Sequence, residues 1–441
     1  MPEPLPPASS GLNALLAGLA GYDAQAVPVA QAQHIIRQFA LPAVTSADAE
    51  KLSVRNALDR ILAEDIVSGI DVPAYDNSAM DGYALHGDDL PGAQPAILKI
   101  AGIAYAGRAF NGEVRRGECL RIMTGAVLPA GLDTVIPQEL VQDASAEAIT
   151  VVAGKVKPGD NRRLKGEDLA AGKIALAKGK ILRPADLGLL ASVGIAEVAV
   201  QRRLRVAFFS TGDELRSVGE TLDEGCVYDS NRYTLYGMLM RLGCEVIDMG
   251  VVRDEPASLQ AAFHSACRSA DAIITSGGVS VGAADYTRQM MAEMGDVAFW
   301  GIKMRPGRPM AFGKISSAGE SGPSSAYLFG LPGNPVAVMV SFYFFVRDAL
   351  LRIAGATPVP LLTVRASSTS VIRKRPGRTE YQRGIVSTAE DGGLQVKITG
   401  AQGSGILRSM AEANCMVVLH EEQADVAAGD QLDIVLFDSL L

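Results

Sequence analysis

The sequence has little that would let it bind nucleic acid or an anionic membrane surface. Its 441 residues include 41 lysines and arginines against 49 aspartates and glutamates, a formal net charge of −8. Both kinds of binding depend on a concentrated positive surface. An acidic chain without a long basic run argues against either partner, and any anionic ligand must meet a local cluster of basic side chains.

Paired metal-binding cysteines are missing as well. The five cysteines are scattered, form no Cys-x-x-Cys pair and are accompanied by only four histidines. This usage is typical of a reducing compartment, so we expect a cytoplasmic protein without a zinc site. The first 21 residues carry no positive side chain before their apolar stretch, which argues against a signal peptide. The uncharged segment from Ser321 to Val346 is interrupted at Gly330 to Pro335, and neither half is long enough to span a bilayer.

The pattern of apolar and polar residues changes several times along the chain, as expected for a chain that is too long to fold around one hydrophobic core. Residues 1–24 are rich in Pro, Ala and Gly and predict a loose extension. Apolar spacing predicts helices at residues 29–40 and 48–63. From residue 68 to 171, short apolar runs alternate with Gly, Asp, Asn and Pro, which predicts a β-rich domain. Residues 182–203 predict a short helix and then a strand.

From residue 204 to about 355, strand-like runs alternate with predicted helices at residues 233–242 and 256–269, which predicts a parallel sheet covered by helices. After residue 361 a two-residue period returns and predicts a small barrel or sandwich. The predicted fold is therefore a multidomain chain of α/β plus β class, with a parallel-sheet α/β domain, a β-rich domain, a discontinuous linker domain and a C-terminal β-barrel-like domain. The predicted divisions are 1–25 as a flexible extension, 26–67 with 173–203 as the linker domain, 68–172 as the β-rich domain, 204–355 as the α/β domain and 356–441 as the C-terminal β domain.

Three polar or glycine-rich loops each follow a predicted strand in the α/β domain, at residues 210–214, 275–282 and 330–335. Ligands bind beyond the carboxyl ends of parallel strands, so the loops predict one shared crevice. Backbone N–H groups next to glycine, and helix N-termini, suit a phosphate. For any single loop a tight turn is the simpler explanation. The three together favour binding, although no Walker loop and no G-x-G-x-x-G fingerprint is present.

Charged side chains gather near the same loops. Carboxylates of the kind that hold Mg²⁺ occur in both the α/β and the β-rich domain. One of them, Asp254, precedes Glu255 and a proline, so we predict that it is the N-cap of the next helix. Most clusters of basic residues simply lie on the solvent-exposed surface. The segment Arg305-Pro306-Gly307-Arg308-Pro309 differs, because its prolines stiffen the backbone and its two guanidiniums suit a tetrahedral oxyanion. The carboxylates are Asp76, Asp81, Glu167, Asp168, Asp213, Glu214, Asp254 and Asp285.

The most distinctive segment is Asp76-Asn77-Ser78-Ala79-Met80-Asp81-Gly82-Tyr83-Ala84, whose order no secondary structure requires. Together with residues 121–126, residues 166–168 and the three loops of the α/β domain through Asp285-Tyr286, it resembles the molybdopterin molybdenumtransferase family. That family includes the E domain of gephyrin. The resemblance runs in order from about Val29 to the C-terminus.

The resemblance implies an elongated homodimer in which the α/β domain of one subunit faces the β-rich domain of the other. It implies that adenylylated molybdopterin and molybdate react to give molybdenum cofactor and AMP, with a divalent metal assisting. The carboxylates indicate that this metal is Mg²⁺. The residues it ties to catalysis are Asp76, Thr124, Arg163, Asp168, Glu214, Asp254 and Asp285, the last three as metal ligands. Those it ties to substrate binding are Ser276, Gly277, Gly278, Ser280, Pro332, Gly333, Asn334 and Pro335. Those it ties to molybdate are Arg305, Arg308, Arg383 and Ser404.

The sequence departs from the family pattern at a few positions and leaves two alternatives open. Gly301 follows Phe299-Trp300 where the family often has a basic residue, with Lys303 two residues further on. Arginine stands at 305 and 308 where lysine is common. The alternatives are a scaffold that keeps the fold without turnover and a molybdopterin adenylyltransferase, which shares the Ser-Gly-Gly loop but lacks the β domains. The adenylyltransferase is also a candidate partner, and the sequence does not distinguish molybdate from tungstate.

Overall fold

The computed structural model describes residues 11–19, 21–279, 286–318, 322 and 324–440. The chain forms two compact units. The first, here called the α/β unit, contains the described residues up to 50, residues 59–63 and the described residues from 199 onwards. The second, here called the β unit, contains residues 51–58 and 64–198. None of the helices in the described ranges is long and apolar enough to cross a membrane.

The described chain begins with two helices of the α/β unit, α1 at Leu12–Ala17 and α2 at Val29–Phe39. Leu12 is fully buried in the core, so the predicted loose extension is wrong for these residues. Leucines at 12, 15 and 16 have the spacing that gives even a short helix one apolar face. Helix α2 was predicted, and its Gln33 donates from Nε2 to Phe344 O at 3.0 Å. The predicted linker residues 26–67 are thus divided between the two units.

The helix predicted for residues 48–63 is wrong. Strand β1 spans Ala49–Ser53, and the backbone turns at Asp59 with a φ of 60°. Within the β unit the Val54 N–H donates to Ala196 O at 3.0 Å. Within the α/β unit the Ala63 N–H donates to Ala199 O at 3.0 Å. The apolar spacing fits a helix, but the backbone partners come from a segment much later in the chain.

The β unit is built from short strands around one six-stranded sheet, which confirms the predicted β-rich domain. Its elements and the strand that leaves it are β2 Ile66–Val67, β3 Asn77–Ser78, β4 Gly82–Leu85, β5 Ala96–Ala104, β6 Glu118–Ile122, β7 Thr134–Pro137, β8 Val141–Ala144, β9 Ala148–Val151, β10 Arg162–Arg163, β11 Ile174–Leu176, α3 Pro184–Ser192 and β12 Glu197–Gln201. The sheet order is β7-β4-β6-β5-β9-β8, and only β5 and β6 run parallel. Successive residues of β4 point to opposite faces of the sheet, so Ala84 packs in one hydrophobic core and Tyr83 in another.

The α/β unit contains the predicted parallel sheet with two added strands. Its elements are β13 Arg205–Thr211, β14 Leu215–Arg216, β15 Val227–Tyr228, α4 Ser230–Arg241, β16 Glu245–Val252, α5 Pro256–Ser269, β17 Ala272–Ser276, α6 Tyr286–Met294, β18 Gly295–Gly301, β19 Met304–Arg305, β20 Pro309–Ser317, β21 Ser324–Leu331, α7 Pro335–Ser341, a π-helical turn Phe342–Val346 and α8 Arg347–Ile353. The order is β16-β13-β17-β21-β20-β18. The first four strands are parallel, whereas β20 and β18 are antiparallel because short connections join them.

A small closed barrel completes the same unit, and a barrel is one of the two folds that the two-residue period predicted. Its elements are β22 Val364–Ser368, β23 Thr379–Thr388, β24 Leu394–Ile398, α9 Arg408–Glu412, β25 Cys415–Leu419 and β26 Gln431–Leu436. The strands follow the order β23-β24-β22-β26-β25, and pairing between β25 and β23 closes the barrel. Strand β19 extends it by pairing with β23, so that Arg305 lies opposite Glu380.

Candidate functional site

Two of the three predicted loops are joined by hydrogen bonds at the carboxyl ends of β17 and β21. The Gly277 N–H donates to Leu331 O at 3.0 Å. Asn231, near the start of α4, donates from Nδ2 to Ser276 Oγ at 2.8 Å and to Gly333 O at 2.7 Å. The remaining loop follows β13, which pairs with β17 in parallel. All three loops therefore leave the same edge of the sheet, where ligands of such folds bind.

Packing alone requires glycine in the loop after β17. Gly277 and Gly278 have φ angles of 94° and 67°, which side chains rarely adopt. A Cβ at 277 would lie 2.5 Å from Thr211 O, and one at 278 would collide with the Thr287 side chain. The tight-turn explanation holds at both positions, and the Gly277 N–H is already used in its bond to Leu331 O.

Buried polar atoms without a hydrogen-bond partner also gather at this edge. Within the described ranges they include Ser210 Oγ, Thr275 Oγ1, Asp229 Oδ2 and Asn231 Oδ1. Leaving such an atom unpaired costs roughly 1–3 kcal/mol. Unpaired groups of this kind in a folded protein point to a ligand, an ion or water. The edge is the best candidate in this unit for a polar ligand.

The predicted metal ligands Glu214 and Asp254 follow the neighbouring strands β13 and β16. The carboxylate of Glu214 folds back over Gly212, where a Cβ would lie 2.6 Å from its Oε2. Asp254 lies beside α6, since Thr287 Oγ1 donates to its Oδ1 at 3.4 Å. The N-cap of α5 is Glu255, so the predicted capping role of Asp254 is wrong by one position.

Ser280 and Asp285, which were predicted to bind substrate and metal, lie outside the described residues. Among the residues that the structure does describe, no three His, Cys, Asp or Glu side chains lie close enough to hold a metal ion. The assignment of Asp285 as a metal ligand stays a prediction from the sequence.

The third loop connects the sheet to the barrel. Asn334 is the N-cap of α7 and Pro335 occupies its first turn. The next residue, Val336, donates its N–H to Ser404 O at 3.0 Å. Ser404, predicted to bind molybdate, is thereby held next to the loop of Pro332 and Gly333, which was predicted to bind the larger substrate.

Arg383, on β23, is the largest fully buried side chain of the described chain. It donates from Nε to Ser409 Oγ at 2.9 Å and from Nη2 to Gly403 O at 3.0 Å. Two longer contacts of 3.4 Å reach the carbonyls just before Gly403. Burial, together with the charge of Arg305, lowers the pKa of the guanidinium to about 10. Arg383 therefore holds the loop that precedes Ser404, instead of lying open to a ligand as expected for a direct contact.

The structure divides the two arginines of the stiff loop between separate cavities. Arg305 is exposed and lines a cavity of about 260 Å³ with Gln402. Arg308 lines another of about 290 Å³ together with Arg288 and Val279 at the end of the glycine loop. Arg305 therefore lies near Arg383, whereas Arg308 lies near the glycine loop that was predicted to bind the pterin substrate.

The structure explains why glycine stands at position 301, where the family often has a basic residue. The Gly301 N–H donates to Ala24 O at 2.7 Å, and the Val27 N–H donates to Gly301 O at 3.0 Å. A Cβ at this position would lie 2.5 Å from Gln25 O, so the segment before α2 occupies the space of a side chain. The nearby Lys303 is engaged elsewhere, since its Nζ lies 3.1 Å from a carboxylate oxygen of Glu421.

In the β unit, the Asp76 segment, residues 121–126 and the predicted site residue Arg163 meet around β3. This strand pairs with β10, which sets Ser78 opposite Arg162 and Asn77 opposite Arg163. On its other side, Ser78 N donates to Ala126 O at 3.0 Å. The Asp76 segment thus lies between residues 124–128 and residues 161–165, as a common site requires.

Asp76 is held as an anion at the centre of this cluster. Its Oδ1 accepts from the Lys165 N–H at 2.7 Å, and its Oδ2 accepts from Arg162 Nε at 2.9 Å and also from Arg162 Nη2. These contacts, first the backbone bond and then the arginine, lower the pKa of Asp76 below its usual value. Arg163, the arginine predicted to belong to the site, is exposed, whereas its neighbour Arg162 is the partner of Asp76. Adjacent strand residues point to opposite faces, and the sequence does not say which one faces Asp76.

The other predicted residues of the β unit lie on its surface. Thr124 donates from its N–H at 2.6 Å and from Oγ1 at 2.7 Å to Asp81 Oδ1, and the backbone bond in particular lowers the pKa of Asp81. Both residues are exposed, as is Asp168. The cluster therefore presents polar groups to solvent and not to the interior of its unit.

Comparison with known proteins assigns the class. Residues 27–194 match the MoeA N-terminal region (domains I and II), residues 207–352 match a probable molybdopterin binding domain, and residues 365–437 match the MoeA C-terminal region (domain IV). A solved MoeA protein from Pyrococcus horikoshii has a TM-score of 0.76 and 29% identity, with 93% of this chain and 100% of that chain covered. The fold is thus that of MoeA proteins.

Curated relatives of similar length narrow the class to a family. A molybdopterin molybdenumtransferase from Haemophilus influenzae is 42% identical over 395 residues, which are 89% of this chain and 95% of the relative. Another from Nostoc is 35% identical over 387 residues, 87% of each chain. This chain belongs to the molybdopterin molybdenumtransferase family.

Proposed function

We propose that this chain transfers molybdenum from molybdate to adenylylated molybdopterin, which releases AMP and yields molybdenum cofactor. The names of the relatives support the transfer of molybdenum. The observation that carries the proposal is the hydrogen bond of 3.0 Å from Val336 N to Ser404 O. It joins the loop expected to bind the pterin substrate to the loop expected to bind molybdate. The two reactants would therefore bind side by side in the α/β unit.

Electrostatics supports this arrangement. Two anions repel each other unless positive charge lies nearby. Arg305 and Arg383 lie close enough for the charge of one to lower the pKa of the other. Glu380 lines the same cavity, but its carboxylate is paired with Arg378 at 3.0 Å. Binding of molybdate beside Arg305 would relieve the repulsion between the two guanidiniums, while Arg308 and the glycine loop would face the second anion.

We also propose Mg²⁺ as the divalent metal, held by Glu214, Asp254 and Asp285. Strands β13 and β16 are parallel neighbours with Thr211 opposite Val252, so Glu214 and Asp254 follow them at one edge. Carboxylate oxygens are the ligands that this ion prefers. A bound Mg²⁺ would supply positive charge against the phosphoanhydride of the substrate. The residues of the chain would bind and orient the two reactants.

We propose further that the chain acts as a homodimer in which Asp76, Thr124, Arg163 and Asp168 of one copy complete the site of the other. These residues lie at a surface of the β unit, which supports contact with another copy. The α/β unit exposes apolar side chains, which often mark a protein interface. Adenylylated molybdopterin is the product of an adenylyltransferase, so we propose that enzyme as a transient partner. The exposed apolar side chains are Val227, Tyr228, Tyr233, Tyr236 and Met240.

The test is a single-turnover reaction of the purified chain with adenylylated molybdopterin and molybdate. We expect AMP release and molybdenum in the product, with both lost in Glu214→Gln. The matched control is Glu220→Gln, because Glu220 is exposed and its carboxylate accepts the Ser217 N–H at 2.8 Å. Substrate binding without AMP release would favour a scaffold. Adenylylation of molybdopterin by ATP would favour an adenylyltransferase.

A further inference from the structure

Asn231 connects two loops of the candidate site, although no sequence pattern singled it out. It is 7% exposed and belongs to the first turn of α4. The helix is capped by Asp229, whose Oδ1 accepts from Arg232 N at 3.1 Å. Asn231 is therefore not needed as a cap, and its side chain reaches out of the helix to Ser276 Oγ at 2.8 Å and Gly333 O at 2.7 Å.

The chemistry of these contacts determines the direction of each hydrogen bond. A backbone carbonyl only accepts, so the group that contacts Gly333 O must be the amide NH₂ of Asn231. The same NH₂ donates its second proton to Ser276 Oγ. A hydroxyl that accepts in this way still has its own proton to donate. Among the described residues, Ser276 Oγ accepts from Asn231 and donates to no acceptor. Asn231 Oδ1 has no hydrogen-bond partner there.

We propose that Asn231 is a positioning residue for the substrate. It holds the Ser276 loop against the Gly333 loop and leaves the Ser276 hydroxyl proton for an anionic or carbonyl oxygen of the pterin substrate. The other end of the amide, Oδ1, is left as an acceptor for an N–H of the same ligand. The inference rests on the proposed function, because it takes adenylylated molybdopterin as the ligand.

Asn231→Asp keeps the shape of the side chain and removes both donors. The new carboxylate then faces Gly333 O without a proton between them, and the Ser276 hydroxyl donates its proton to that carboxylate instead of to the ligand. We expect affinity for adenylylated molybdopterin to fall about tenfold or more, the loss of a hydrogen bond to a charged group. Ser276→Ala should weaken binding to a similar degree. The double variant should weaken it by less than the product of the two single effects, since one residue acts through the other.

The experiment is equilibrium titration of the full chain with adenylylated molybdopterin in the absence of molybdate, with thermal melting as the check on folding. Thr234→Val is the matched control, because Thr234 Oγ1 donates to Ser230 O at 3.1 Å within α4. It should bind like the wild type. If Asn231→Asp melts early, Asn231→Ala carries the same test without a charge opposite Gly333 O.

Two results would overturn the inference. One is wild-type affinity in both well-folded Asn231 variants. The other is a double variant whose loss equals the product of the single losses, because Asn231 and Ser276 would then act independently. A wild-type chain that does not bind adenylylated molybdopterin would count against the proposed function itself, so the two failures are distinguishable.

Discussion

Replacing Arg383 with lysine should weaken molybdate binding even though it keeps a positive charge. The Arg383 guanidinium is fully buried and donates to Ser409 Oγ at 2.9 Å and to Gly403 O at 3.0 Å. Lysine ends in a single ammonium and cannot reproduce the planar fork of donors. One of the two acceptors is then left unpaired, and the loop that leads to Ser404 is no longer held in place.

The magnitude follows from the two short hydrogen bonds, because the contacts of 3.4 Å are weak. A buried acceptor left unpaired costs roughly 1–3 kcal/mol. Arg383→Lys should lower the free energy of unfolding by about that amount, and Arg383→Ala by roughly twice as much. Because Ser404 follows the displaced loop, we expect molybdate affinity to fall about tenfold in Arg383→Lys, which corresponds to about 1.4 kcal/mol.

Molybdate titration and chemical denaturation of the same samples measure the two effects. Arg365→Lys is the matched control, since Arg365 lies in the same barrel, is exposed and pairs with Asp433 at 3.0 Å. Affinity for adenylylated molybdopterin should stay near that of the wild type in all of these variants. Normal molybdate binding by Arg383→Lys, combined with a loss in Arg383→Ala, would refute the reasoning, because charge alone would then explain the role of Arg383.

Three further predictions concern acid stability, the glycine loop and the shared site. Backbone hydrogen bonding and a neighbouring arginine lower the pKa of Asp76, so the stability it contributes is present above its ordinary pKa of 3.8 and is lost as the pH falls through the lowered value. Acid unfolding followed by circular dichroism should therefore depend less on pH in this range for Asp76→Asn than for the wild type. Gly278→Ala should lose roughly 1–3 kcal/mol in thermal unfolding, because its φ is 67° and its Cβ would meet Thr287, whereas a Cβ at Gly333 meets nothing within 4 Å and Gly333→Ala should melt normally. Mixing Asp76→Ala with Glu214→Ala chains should restore AMP release through one intact site per mixed dimer, and activity no higher than that of either parent would contradict a site shared between subunits.

Much of the fold could be predicted because local sequence patterns determine it. Helix α5 was predicted with the bounds that it has, Pro256–Ser269, since a proline begins it and its apolar spacing is regular. The barrel strands were predictable for a similar reason, because alternating apolar residues require one buried face. The segment at 48–63 was not, because its hydrogen-bond partners lie far along the chain, and local spacing cannot distinguish a strand with such partners from a helix.

The sequence by itself determined the family, the glycine loops and the kinds of charged residue in the candidate site. Tertiary structure alone decided which of these side chains are in contact. It selected Arg162 over its neighbour as the partner of Asp76, buried Arg383 beneath the loop that it holds, and brought Asn231 against Ser276. The physical reason is that hydrogen bonds depend on distance and direction between groups far apart in the chain, and composition and spacing contain neither.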